Sequence, residues 1–108
     1  MSRFTLSLAL ATAIALPVLA QTADAPSTLA YQKVMDAMMA GMMVPFTGNA
    51  DIDFIKGMVP HHQGAVDNAR IVLQYGTDPE VRKFAESVIA AQEAEIIWMN
   101  EWLAKNGG

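Results

Sequence analysis

Two breaks, Pro45 to Asn49 and Gly76-Thr77-Asp78-Pro79, divide everything after Ser27 into three stretches of helix length, and this partition constrains the fold more than any other feature. Proline cannot continue a helix and restrains the residue before it, so the first stretch, starting near Ser27 or Thr28, ends close to Met43. Phe46-Thr47-Gly48-Asn49-Ala50 reads as turn and loop. The second stretch runs from about Asp51 to Tyr75, with Gly76 placed to close it through a left-handed residue and Pro60 predicting a kink inside it. For the third, either Thr77 with Glu80 forms a capping box or Asp78 caps with Pro79 first in the helix; it extends to about Lys105. No segment alternates with period two. The predicted fold is all-α, a small antiparallel bundle of three main helices.

Ahead of the bundle, Met1-Ser2-Arg3 leads into an apolar block from Phe4 to Leu16 and then Pro17-Val18-Leu19-Ala20. A basic start, an apolar core and small residues before a cut make a secretory signal peptide over 1–20, cleaved after Ala20. The apolar run is shorter than the roughly 20 residues that span a bilayer, so no stable membrane insertion is expected after its removal. Residues 21–27 read as a flexible tether and 28–108 as the domain. Export points to a periplasmic or secreted protein.

Losing the signal removes one cation, Arg3, and no anion from a chain whose net charge is already −4. Nucleic acid is therefore excluded as a partner, for want of a basic patch. A domain this small is marginally stable, and with no cysteine it has no disulfide staple. A metal, a homodimer or very regular helix packing has to substitute.

Chemistry concentrates in Gly57-Met58-Val59-Pro60-His61-His62-Gln63-Gly64, which holds both histidines. Met58 precedes them by three and four residues, on one side of a helix. It belongs to both candidate seams of the second helix, so it should face inward with a histidine to either side, Pro60 turning the backbone so that both reach in. In the third helix Gln92 and Glu95 interrupt the apolar seam before Met99. Something polar should lie opposite them, and the histidine pair would serve. Methionine is the compositional anomaly: Met35, Met38, Met39, Met42 and Met43 crowd the end of the first helix. Core packing is one account of them. Leucine specifies a core better, however, and Gly41 weakens this helix without an evident packing gain. Thioethers without cysteine suit Cu(I) or Ag(I) in an oxidising compartment. Zinc and di-iron sites are disfavoured, since there is no His-x-x-x-His and Glu95 is followed three residues later by Trp98.

Asp53 to Asp67 with its Met-Val-Pro-His-His centre, Thr77-Asp78-Pro79-Glu80-Val81, and Gln92-Ala94-Glu95-Ile96 leading to Met99 and Trp102-Leu103 resemble family 305 of the domains of unknown function. The resemblance runs from about Met38 to Leu103. It implies a small exported bundle of ferritin-like type, with copper or silver binding and a part in copper resistance. It carries metal-binding roles to Met58, His61 and His62, to Met99, and to the positions of Met38, Met39 and Met42. Met39 stands where members often have histidine, which softens the site toward Cu(I) over Cu(II); Asn68 stands where members tend to have a further methionine. The expectation is a non-enzymatic copper-binding protein, with Cu(I) held by Met38, Met39, Met42, Met58, His61, His62 and Met99, and with Gln92 and Glu95 orienting the histidines. Copper would be sequestered or passed to a copper-transport partner protein. The rival is a structural interaction or dimerisation module with methionine and histidine in its core.

Overall fold

The computed structural model describes residues 25–108. They form α1 (Pro26–Met42), α2 (Ala50–Tyr75) and α3 (Pro79–Asn106), with no strand among the described residues, so the chain is all-α as expected. The signal segment, its cut after Ala20 and most of the tether lie outside the described residues. Pro26 and Ser27, expected to end that tether, instead form the first turn of α1, because proline at the first helical position gives up only an N–H that has no partner there. No helix among the described residues is long and apolar enough to cross a membrane.

The α1–α2 connection is held by one carboxylate. Asp53 accepts from the backbone N–H and hydroxyl of Thr47, both at 2.8 Å, and from the Gly48 N–H at 3.1 Å, while Gly48 turns the chain at φ 89°. Those donors, the Thr47 N–H first, hold the Asp53 carboxyl below the usual carboxylate range. Asn49 then caps α2 by accepting from Asp51 and Ile52 at 3.0 and 3.2 Å, which starts the helix one residue ahead of Asp51.

At the far end of α2 the expected left-handed glycine is not there. Gly76 is extended, at φ −76° and ψ 149°, and glycine is required for a different reason: a β-carbon would stand 2.6 Å from the Val72 carbonyl oxygen. Arg82 completes this end by donating to the carbonyls of Leu73 and Gly76 at 2.8 and 3.0 Å. Between the two ways of starting α3, the structure has Asp78 accepting from Glu80 and Val81 with Pro79 first in the helix; Thr77 makes no capping bond. The left-handed glycine closes α3 instead, where Gly107 sits at φ 80°.

In this arrangement α2 is the middle element and runs unbroken through Pro60. On one flank α1 lies antiparallel to it, so close that a β-carbon on Gly41 would come within 2.7 Å of Pro60 Cβ, and one on Gly64 within 2.6 Å of Met38 Sδ. The expectation that Gly41 serves no packing purpose is therefore overturned: it admits the ring of Pro60. On the other flank α3 packs antiparallel, tied across the seam by His62 to Glu95 and Arg70 to Glu93. No Cα of α1 comes within 8 Å of one in α3, so one side of α2 stays open between its neighbours. Few side chains are buried. Ile55, Val66, Ala69 and Ile71 of α2 with Ala85 and Met99 of α3 make up the apolar core, and α1 contributes no buried residue.

Candidate metal centre

His62 follows Met58 by one helical turn, which puts its ring over the Met58 carbonyl. Nδ1 lies 2.9 Å from that oxygen and donates to it. Across the seam Nε2 lies 2.5 Å from Oε2 of Glu95. With Nδ1 committed as a donor to a carbonyl, Nε2 is the ring nitrogen that faces the carboxylate and could turn to a metal. A metal-binding imidazole is held the same way, with one nitrogen donating to a carbonyl and the other left for the ion.

The ring opens into a hollow of about 330 Å³ lined by Phe54, Ile55, Met58, His62, Glu95, Trp98 and Met99. Three of the seven sequence-predicted ligands, Met58, His62 and Met99, thus come together, Met99 as the buried contribution of α3 and Met58 half-buried. The other four do not join them. Met38 is turned to the α1–α2 seam, where its thioether occupies the space that a side chain at Gly64 would fill. His61 is exposed, its ring centroid 6.1 Å from that of His62 at an interplanar angle of 60°. Adjacent residues on a helix are separated by about 100°, so the Pro60 turn does not bring both histidines inward as expected. Met39 and Met42 are 51% and 36% exposed and line none of this hollow.

The supporting shell also differs from expectation. Glu95 does meet His62, but at the nitrogen a metal would take; the Met58 carbonyl does the orienting. Gln92 is half-buried and bonds neither histidine. Three wall residues, Phe54, Ile55 and Trp98, escaped the sequence reading as parts of the site. Their signal was present in the spacing: Phe54 lies four residues before Met58, and Trp98 three after Glu95, on the same flanks.

Among the described residues no three His, Cys, Asp or Glu side chains converge. What converges is one imidazole nitrogen, two thioether sulfurs and one carboxylate in a largely apolar wall. Neutral soft donors dominate that set, which fits Cu(I) or Ag(I) and fits poorly the hard cations that demand several oxygens.

Residues 17–103 match a family described as Domain of unknown function (DUF305). The chain is also similar to Uncharacterized protein L153 of Acanthamoeba polyphaga mimivirus, 32% identical over 53 residues, or 49% of this chain. The matched stretch spans 35% of that relative's length.

Proposed function

Because the chain belongs to the DUF305 family, whose description assigns no activity, we propose its function from the site: an exported copper-binding protein that holds Cu(I), sequestering it or delivering it to a partner, and so serving copper homeostasis or resistance. Ag(I) suits the same sulfurs, and Cu(II) the imidazole and carboxylate. The observation that carries this reading is the fixed imidazole of His62. Its Nδ1 is occupied by the Met58 carbonyl, so Nε2 is presented in a hollow shared with the thioethers of Met58 and Met99. No nucleophile or general base is placed in that hollow beyond His62 and Glu95, and binding without turnover is the simpler use of it. Met39, Met42 and His61, exposed nearby in sequence but outside the hollow, would serve as a second, looser set of donors for capture or exchange.

The test is a Cu(I) titration of the protein against a competing chelator, repeated for Met58→Leu and His62→Ala. Each variant is expected to lose at least about tenfold in affinity, or about 1.4 kcal/mol. Unchanged affinity in both removes the metal reading from these residues. It would leave the rival, a structural interaction or dimerisation module, although Met35, Met39 and Met43, at 59%, 51% and 78% exposed, are not the core methionines that reading expects.

A further inference from the structure

The open side of α2 is a continuous apolar surface. Hollows of about 290 to 330 Å³ follow one another along it, from Ser27, Tyr31 and Tyr75 at one end to Phe54, Trp98 and Trp102 at the other. Its large side chains are left in solvent: Tyr31 37%, Phe54 63%, Tyr75 41%, Val81 48%, Phe84 68% and Trp98 56% exposed. No lysine or arginine lines it. Its acids are Asp51 and Asp78 at the two ends, the latter engaged as a helix cap, and Glu95, engaged by His62.

We infer that this face is covered by a second copy of the chain, packed through the same face about a two-fold axis. Two arguments select that occupant. The first is area: with aromatic side chains burying about 150–250 Å² each, the six named residues leave on the order of 600 Å² exposed. Smaller neighbours in the hollows add to that, toward the roughly 800 Å² per partner of a standard stable interface and at the upper end of the single-patch exposure of most monomers. The second is shape. An isologous contact needs a surface complementary to itself, and here protruding aromatics of α3 and the hollows beside them occupy the same face. The dimer does not depend on the copper reading, although the hollow around His62 is itself part of the covered face.

Sedimentation velocity across micromolar concentrations, on the full chain as the cell processes it, tests this. The wild type is expected to be dimeric. Phe84→Glu and Trp98→Glu should each weaken self-association by at least about tenfold, as hot-spot substitutions do. Ile97→Glu, at a site 61% exposed that lines none of the hollows, should not. Tryptophan emission of the wild type should move to the red on dilution, a reading that does not depend on any variant folding. A wild type monomeric throughout overturns the inference. So does a dimer indifferent to both glutamates, or emission indifferent to dilution.

Discussion

Nε2 of His62 and Oε2 of Glu95 stand 2.5 Å apart across the α2–α3 seam, although the two side chains differ widely in exposure, 15% against 60%. The contact joins two helices at the nitrogen that a metal would take, so a metal arriving at Nε2 must open it.

Glu95→Gln therefore separates two roles. It leaves Nδ1 anchored on the Met58 carbonyl and both thioethers in place, so Cu(I) affinity should fall by less than in His62→Ala, for which a loss of at least about tenfold is expected. Chelator competition on the two variants reads both losses. Equal losses in the two variants would make Glu95 a ligand in its own right.

Two helical glycines, one against a neighbouring helix and one in open space, predict opposite shifts in stability. At Gly41 an added methyl meets the rigid ring of Pro60, and Gly41→Ala should destabilise by about 1–3 kcal/mol. Gly57 has nothing within 4 Å of that position, and Gly57→Ala should stabilise α2 by up to about 1 kcal/mol through helix propensity. Thermal melts followed by circular dichroism check both, since 1 kcal/mol moves Tm by roughly 4–8 °C in a domain of this size.

Much of this was legible in the sequence and some was not. The three helices followed from Pro45, Gly76 and Pro79, because proline and glycine act locally and tertiary contacts seldom override them. Met58, His62 and Met99 followed from helical spacing. Gly41 did not: its use depends on Pro60, a residue of another helix, and no periodicity in α1 records which side chain will lie opposite. The same is true of His61. Spacing places it beside His62, but only the positions of α1 and α3 determine that one histidine is enclosed and its neighbour exposed. Gly76 shows a finer limit, since the residue type was read correctly and the conformation requiring it was not.

Two ways of starting α3 fitted the sequence equally, and a pair of substitutions distinguishes them. Asp78→Ala should cost about 1 kcal/mol, within the usual 0.5–2 for a lost cap, while Thr77→Ala should be close to neutral because its hydroxyl caps nothing. Chemical denaturation midpoints measure the difference. A larger loss at Thr77 would point to the reciprocal box with Glu80.

Acid should act on the α1–α2 connection. The Thr47 and Gly48 donors hold the Asp53 pKa below its ordinary value of 3.8, so ionised Asp53 contributes stability above that value. The contribution is lost as pH falls through the depressed folded value. Asp53→Asn should consequently melt below the wild type at neutral pH, with the gap closing below about pH 3.8. A gap that stays constant into acid would remove the charge from the account of this loop.

Because α1 buries no residue and its backbone packs only against α2, it has the least holding it of the three helices. In hydrogen-exchange terms its amides should open sub-globally, at a free energy well under that of the α2–α3 hairpin, while the hairpin and the hollow around His62 persist. Met35, Met38, Met39 and Met42 all ride on α1. The protein's sulfur is thus divided between a fixed store, Met58 and Met99, and a hinged one that can leave the body without unfolding it.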